Sequence, residues 1–116
     1  SAETAEIVDP TVLVEILGTD NQEMLADFYT DFVRSSDEIV AALSLASMSK
    51  DSEKIGVLSH RLKSSASTIG ANTMADCCST LESAGKDENW DSINIEIDKL
   101  PQHFQAVKNW ITQRGG

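Results

Sequence analysis

The 116-residue chain is poor in the residues that interrupt helices, with only two prolines and six glycines. This scarcity favours long helices over many short strands. Aromatic residues make up 5% of the chain, so a core must rest mainly on Leu, Ile, Val, Ala and Met. Cysteine is also scarce. Cys77 and Cys78 are adjacent, which strains a bridge between them, and no further Cys or nearby His completes a zinc framework. We expect two reduced thiols on a helix, consistent with a cytoplasmic protein.

Long apolar runs are missing as well. No stretch approaches the roughly 20 residues of a membrane span, and no basic-then-apolar signal peptide opens the sequence. The formal net charge of −10 would repel nucleic acid and anionic membranes, whereas it permits a partner with a basic face. Neither His60 nor His103 follows a glutamate by three residues, so the Glu-x-x-His pattern of metal-binding bundles is missing. We therefore expect no nucleic-acid partner, no membrane insertion of this domain, and no metal or other cofactor.

The hydrophobic pattern predicts one short helix followed by four long ones, within a single domain over residues 1–116. Residues 1–8 are small and acidic, and we expect them to form a loose extension. Apolar residues recur at helical spacing in the first and the last of the long helices. In the first they are Leu25, Phe28, Phe32, Ile39, Leu43 and Ala46, and in the last Trp90, Ile93, Ile97, Leu100, Phe104, Val107 and Ile111. Pro101 interrupts the last pattern and is expected to kink that helix.

Capping residues, prolines and glycines mark the helix boundaries. In chain order, the predicted starts of the first four helices are Asp9-Pro10, a capping-box-like pair of Asp20 and Glu23, Asp51, and either Asn72 or Thr73. Their predicted ends are Gly18, a polar break at 47–50, Gly70 and Gly85. Because the links between the long helices are short, successive helices should be antiparallel. The sequence therefore predicts an all-α fold, an antiparallel up-down four-helix bundle preceded by a short N-terminal helix. We expect a monomer.

The third predicted helix carries the most specific chemical signal, at His60. Successive helical residues are about 100° apart, which places Leu58, Leu62 and Ile69 opposite the histidine. These apolar residues are expected to hold the helix to the bundle while the imidazole faces water. A neutral imidazole nitrogen is a usable nucleophile near neutral pH, so such a ring is able to accept a phosphoryl group. The spacing alone identifies no phosphoryl donor.

Small and basic residues surround the predicted imidazole. Gly56, Ser64 and Ser67 lie within about 40° of His60 around the helix, and Lys63 within about 60°. Gly56 would leave open space beside the ring or admit the backbone of a partner. Ser64 would donate a hydrogen bond to a phosphoryl oxygen or leave room for it. Lys63, one turn away, would offset the negative charge that arrives with the phosphoryl group.

Residues 60–71 read His-Arg-Leu-Lys-Ser-Ser-Ala-Ser-Thr-Ile-Gly-Ala. This segment resembles the motif of histidine-containing phosphotransfer (HPt) domains, the intermediate carriers of multistep phosphorelays. The family pattern is His-x-Leu-Lys-Gly-Ser-(Ser/Ala)-x-x-(Leu/Ile)-Gly-(Ala). The chain departs from it at Ser64, where the family usually has glycine. The family fold, a four-helix bundle with a short leading helix, agrees with the bundle predicted above.

The resemblance implies that His60 is phosphorylated, that Lys63 assists transfer, and that Ser64 alters the transfer rate. The implied partner is a receiver domain with a phosphorylatable aspartate, alone or in a hybrid sensor histidine kinase, and the receiver would supply magnesium. The chain has no P-loop and no glycine-rich ATP lid, so the implied role is that of a carrier and not a kinase. We expect a cytoplasmic location, either free or as a domain of a membrane-bound sensor kinase. Two alternatives stay open: a docking-only module that binds a receiver or kinase without being phosphorylated, and a structural spacer.

Overall fold

The computed structural model describes residues 7–115, which form five α-helices and no strand. The helices are α1 (Pro10–Leu17), α2 (Gln22–Met48), α3 (Ser52–Thr68), α4 (Asn72–Lys86) and α5 (Trp90–Gly115). Three-residue connections at 49–51, 69–71 and 87–89 join the long helices, a length typical of antiparallel neighbours. α2 and α4 each pack against both α3 and α5, and α1 lies on α3. The predicted all-α bundle with its short N-terminal helix is confirmed.

The core combines apolar faces from all five helices. Its composition agrees with the predicted stripe on α3 and differs from the prediction at one position of α2. The stripe predicted opposite His60 is buried, and its member Leu62 is inaccessible to solvent. Phe28 was expected in the core, but it remains 43% exposed, whereas Tyr29 is 1% exposed. The buried positions of α2 step by three and four residues through Tyr29, and Phe28 lies outside that line. Tyr29 packs edge-on against Trp110, with ring centroids 5.5 Å apart.

The cap of α1 agrees with the sequence, and the cap of α2 does not. Asp9 caps α1 through its side chain. On α2 the cap is Asn21, whose side chain accepts a hydrogen bond from the Met24 amide at 2.9 Å, and not Asp20. Both residue types cap helices well, so sequence alone does not separate these neighbours. The later start leaves Glu23 at the second helical position, where a capping box cannot form.

α4 differs from the prediction at both of its ends. Ala71 stands at the N-cap position without a side-chain hydrogen bond, so neither Asn72 nor Thr73 is the cap. Ala71 is buried at this turn, and its amide donates a hydrogen bond to the Ala66 carbonyl of α3 at 2.8 Å. At the other end the helix continues through Gly85 to Lys86. Gly85 is buried against α3, so its missing side chain serves packing and not helix termination.

The segment ahead of α1 is tied to the turn that closes α3. Val8 is fully buried, in contrast to the loose extension expected for residues 1–8, of which 1–6 lie outside the described range. The Asp9 amide donates to the Gly70 carbonyl at 2.9 Å. Gly70 adopts φ +78°, and a Cβ at this position would overlap the Asp9 carbonyl. Only glycine therefore satisfies both the left-handed backbone and the close approach.

The longest helices, α2 and α5, are amphipathic along their length. Among the described helices, none is long and apolar enough to cross a membrane. Pro101 lies within α5, on its exposed side, and the helix continues beyond it. The kink expected at this proline stays a prediction.

The two cysteines lie in the core, inside α4, as free thiols. Burial raises the pKa of Cys77 to about 12, with a further contribution from the Glu96 side chain. Burial also raises the pKa of Cys78 to about 12. Both thiols are therefore protonated at neutral pH and behave as small apolar side chains.

Candidate functional site

His60 lies midway along α3, with its side chain 59% exposed. Its exposure follows from the packing of the helix, because Leu58 and Leu62, two residues to either side, are buried in the core. The orientation agrees with the one that helical periodicity predicts. The ring is thus held on a rigid element while one side of it faces solvent.

A carboxylate from the neighbouring helix contacts this ring. Glu82 on α4 is only 11% exposed in its side chain, and its Oε2 lies 3.0 Å from Nδ1 of His60. Its other oxygen, Oε1, accepts a hydrogen bond from Nζ of Lys63 at 2.7 Å. Lys86 Nζ, one turn along α4, lies 3.3 Å from Oε2. One nearly buried carboxylate therefore joins three basic groups from two helices.

These contacts keep the Glu82 carboxyl ionised. The hydrogen bond from Lys63 is the largest cause that lowers the pKa of Glu82, which falls from 4.5 to about 2. Hydrogen bonds from Lys86 and His60 act in the same direction, and desolvation opposes them without reversing the shift. The carboxylate is consequently a hydrogen-bond acceptor only, throughout the neutral pH range.

The ionised carboxylate decides which nitrogen of the neutral imidazole carries the proton. Because Glu82 can only accept, the Nδ1–H of His60 donates to Oε2. The lone pair of the neutral ring then lies on Nε2, the nitrogen that does not face Glu82. Hydrogen bonding at one ring nitrogen commonly sets the tautomer and ring orientation in this way. The arrangement leaves Nε2 as the nucleophilic atom.

Lys63 occupies a different position from the one its spacing suggested. Its side chain is half-buried, and its ammonium group is paired with Glu82 and not left free beside the ring. The positive charge still lies within the same cluster as His60, but a negative charge balances it. Two ammonium groups share this single carboxylate, so the cluster carries one positive charge before His60 is counted. This local excess contrasts with the net charge of −10 for the whole chain.

The three small residues predicted around the ring have different surroundings. Ser64 is exposed, and its hydroxyl donates to the His60 carbonyl at 3.2 Å, so its own helix satisfies it. Ser67 is exposed one turn further along α3. Gly56 is buried against α4, and it also lines the groove that opens beside the ring. The chain's own α4 makes the close approach.

A groove of about 710 Å³ opens beside the ring, between α3 and α4. Its polar lining combines His60, Arg61 and Lys86 with Ser52 and the acidic Glu53, Glu82 and Glu88, and Gly56 and Gly85 lie where the two helices approach each other. Within residues 7–115, no cluster of three His, Cys, Asp or Glu side chains is placed to hold a metal ion. The groove presents the ring of His60 beside Lys86, an exposed basic group that can pair with an anionic reactant.

Sequence reasoning missed Glu82 and Lys86. The chain has 19 acidic residues, and scattered acids on helices usually face solvent. A signal was nevertheless available, because Glu82 falls on the buried face of α4 with Cys78 four residues before it and Gly85 three residues after it. An acidic residue on an inward face needs a cationic partner. The sequence does not show which cations supply it.

Comparison with known proteins identifies the family of the chain independently of the site geometry. The family model described as the Hpt domain matches residues 27–110, a range that includes His60, Lys63 and Glu82. Histidine-containing phosphotransfer protein 1 of Arabidopsis thaliana is 27% identical over 99 residues, and the match covers 84% of this chain. The chain spans 64% of the length of that relative.

A solved structure shares the fold. The crystal structure of histidine-containing phosphotransfer protein B from Pseudomonas aeruginosa PAO1 superposes with a TM-score of 0.87, and 96% of each chain is covered. Sequence identity to that protein is 22%. The similarity therefore concerns the helical architecture, which extends over nearly the whole of both chains.

Proposed function

The chain belongs to the Hpt domain family, and from this premise we propose that it is a phosphorelay intermediate. His60 accepts a phosphoryl group from the aspartyl phosphate of a receiver domain and passes it to the aspartate of another receiver, or back again. The observation that carries the proposal is the contact between ionised Glu82 and Nδ1 of His60, which leaves the lone pair on Nε2 of a side chain that is 59% exposed. The magnesium ion of the reaction belongs to the receiver.

The transfer step needs a nucleophile in line with the bond that breaks. The Nε2 lone pair of His60 forms a bond to phosphorus while the bond from phosphorus to the aspartyl oxygen breaks, and the aspartate leaves as a carboxylate. The ring keeps its Nδ1 proton and becomes cationic. Glu82 then faces a positive ring across 3.0 Å, so its negative charge stabilises the positive charge that develops on the ring during the reaction. The second transfer reverses these bond changes.

The basic groups of the site favour the approach of an anion. Lys63 and Lys86 together exceed the single negative charge of Glu82, so the ion-pair cluster that contacts His60 carries a net positive charge. Before a phosphoryl group arrives, Lys63 is paired with the Glu82 carboxylate and keeps it ionised. Lys86 is exposed, and its flexible side chain is able to turn from Glu82 towards a phosphoryl oxygen. We assign both residues to electrostatic assistance.

The receiver docks on the surface around His60, on exposed parts of α1, α2 and α3. These helices expose large apolar side chains to which a protein partner can bind: Ile16 on α1, Met24 and Phe28 on α2, and Val57 on α3. Val57 lies one turn before His60. Exposed apolar residues of this size contribute to binding when a partner covers them.

A direct assay tests the carrier function. The domain is incubated with receiver domains that carry a labelled aspartyl phosphate, and label that is acid-labile and base-stable is sought on the protein. We expect such label on the wild type, none on His60→Gln, and wild-type labelling of His103→Gln. Label that persists in His60→Gln would rule out the site assignment. A wild type that stays unlabelled with every receiver that binds it would rule out the carrier function.

The docking-only alternative is supported by one residue. Ser64 replaces the glycine usual in the family and lies one turn after His60, where a side chain narrows the space for a phosphoryl group. The same assay separates the two functions, because a docking-only domain would bind the receiver without acquiring label. Ser64 is exposed and small, so we favour transfer with an altered rate.

A further inference from the structure

The backbones of α3 and α4 approach each other closely one turn from the pair formed by His60 and Glu82. Gly85 follows Glu82 by three residues on α4, and Gly56 precedes His60 by four residues on α3, so each glycine shares a helix face with a member of the pair. A Cβ built on Gly85 would lie 2.8 Å from the Gly56 nitrogen and 2.9 Å from the Ser52 carbonyl oxygen. Both atoms belong to the α3 backbone and cannot rotate away. A side chain at Gly85 would therefore force the helices apart.

The two glycines are not equivalent. A Cβ built on Gly56 would lie 3.7 Å from the Glu82 carbonyl oxygen and 3.8 Å from the Lys86 Cγ, which are ordinary van der Waals distances. Alanine therefore fits at Gly56 without moving either helix, whereas it does not fit at Gly85. The close approach depends on the glycine of α4.

The separation of the helices determines what Glu82 can reach. Its carboxylate contacts two groups on α3, with Oε1 2.7 Å from Lys63 Nζ and Oε2 3.0 Å from His60 Nδ1. A retreat of α4 by roughly 1 Å would lengthen these contacts beyond hydrogen-bonding range.

We propose that Gly85 is a positioning residue of the phosphoryl-accepting site. Its missing side chain lets α4 approach α3 closely enough for Glu82 to hold the Nδ1 proton of His60, which leaves Nε2 free. The proposal rests on the carrier function as far as phosphoryl transfer is concerned. The geometric part, from Gly85 through Glu82 to the tautomer of His60, is independent of any partner.

The test compares Gly85→Ala with the matched variant Gly56→Ala, which adds the same methyl group to the facing helix. The ¹⁵N resonances of the histidine side chain, recorded where the imidazole is neutral, report which nitrogen carries the proton. In the wild type and in Gly56→Ala we expect the proton on Nδ1. In Gly85→Ala we expect the Nδ1-protonated fraction to fall about twofold or more. Phosphoryl transfer from a labelled receiver should slow by about tenfold or more, because a displacement of 1 Å is enough to disrupt a reactive geometry.

Further variants separate positioning from folding. Gly56→Val places larger groups on α3 against the Glu82 carbonyl oxygen and Lys86 Cγ of α4, and should also push the two helices apart. It should therefore lower the Nδ1-protonated fraction as Gly85→Ala does, and it serves as a second variant if Gly85→Ala does not fold. Ser83→Ala, on the exposed side of α4, should leave both the tautomer and the transfer rate unchanged. A variant that lost stability alone would keep the wild-type tautomer once folded at low temperature.

Several outcomes would overturn the proposal. A neutral His60 protonated on Nε2 in the wild type would do so without any variant, as would a folded Gly85→Ala that keeps the wild-type tautomer. If Gly85→Ala and Gly56→Val both fail to fold, Gly85 is required for the fold itself and the assignment of a separate positioning role is overturned. A wild type with the expected tautomer that accepts no phosphoryl group would instead contradict the carrier function and leave the geometric assignment intact.

Discussion

Nζ of Lys63 lies 2.7 Å from Oε1 of Glu82, so the basic residue of the His60 segment is bound to a carboxylate from the neighbouring helix. The motif on α3 is therefore incomplete without α4. Histidine and lysine are neighbours in the sequence, but the group that connects them comes from 19 residues beyond the lysine. This relationship leads to predictions in which the acid, and not only the two basic residues, controls the site.

Removal of the Glu82 carboxylate should slow phosphoryl transfer. Glu82→Ala loses both the hydrogen bond to Nδ1 and the negative charge, and we expect a decrease of about tenfold to a hundredfold in rate, the range found for groups that orient metal-ligating histidines. Glu82→Gln keeps an oxygen that can accept from Nδ1, so its decrease should be smaller. The rate of label transfer from a phosphorylated receiver measures both. Asp76→Asn, an exposed acid on the same helix, serves as the control. Equal rates for Glu82→Ala and wild type would contradict the prediction.

The low pKa of Glu82 predicts a loss of stability in acid. A carboxyl group whose pKa is lower in the folded than in the unfolded state stabilises the fold above its unfolded pKa, and this stabilisation disappears as the pH falls through the folded value. For Glu82 the window runs from about 4.5 down to about 2. Urea unfolding at a series of pH values should show the decrease, and Glu82→Gln should flatten it. Some slope should remain, because hydrogen bonds from Thr11 also lower the pKa of Asp9.

Ser64→Gly should transfer phosphoryl groups faster than the wild type, because it removes the side chain next to the reactive ring. It should also unfold more easily, since glycine in a helix interior is about 0.5–1 kcal/mol less favourable than alanine. Ser64→Ala keeps the Cβ and loses the hydroxyl, so comparison of the three rates separates bulk from hydrogen bonding. Equal rates in all three proteins would dismiss crowding at this position.

Gly70→Ala should destabilise the protein more than Gly18→Ala. Both glycines have left-handed backbone conformations, with φ +78° and +69°. A Cβ at Gly18 meets no atom within 4 Å, whereas a Cβ at Gly70 meets the backbone of Asp9. We expect a loss of about 1 kcal/mol for Gly18→Ala from the backbone alone, and about 2 kcal/mol or more for Gly70→Ala. Free energies of unfolding from urea titrations measure the difference. Similar losses for the two variants would show that the Asp9 backbone moves away from the added methyl group with little loss of stability.

Replacement of Val57 should weaken receiver binding. Val57 is 57% exposed on α3 next to His60, and Ile95 is 54% exposed on α5, a helix outside the proposed docking surface. We expect Val57→Ser to weaken binding by about threefold to tenfold, which corresponds to roughly 1 kcal/mol of lost apolar contact. Ile95→Ser should leave affinity unchanged. Titration calorimetry with the receiver domain provides the measurement, and an equal effect of both variants would place the docking surface elsewhere.

The sequence predicts the features that depend on the order of residues along one helix. The exposure of His60, the burial of Leu62 and the number of helices all follow from the spacing of apolar residues. Phe28 and Tyr29 mark the limit of that approach, because either neighbour can be assigned to the apolar stripe until the packing of α2 against α5 places Tyr29 against Trp110.

The site also contains features that depend on how two helices meet. Glu82 looks like one of many surface acids until α4 is placed against α3, and Gly85 looks like a helix stop until its distance to Gly56 is known. No local pattern encodes the rotation of one helix relative to another. The partner of the histidine therefore emerges only from the tertiary structure.

The hydrogen bond from Nδ1 of His60 also restricts rotation of the imidazole. A ring anchored at one nitrogen, on a side chain that is otherwise exposed, presents a single face and a single direction for attack. The loss of conformational entropy on docking is then smaller, because the protein has already ordered the ring. A phosphoryl donor and a phosphoryl acceptor would meet the same ring orientation, so neither direction of transfer would require a separate arrangement of the histidine.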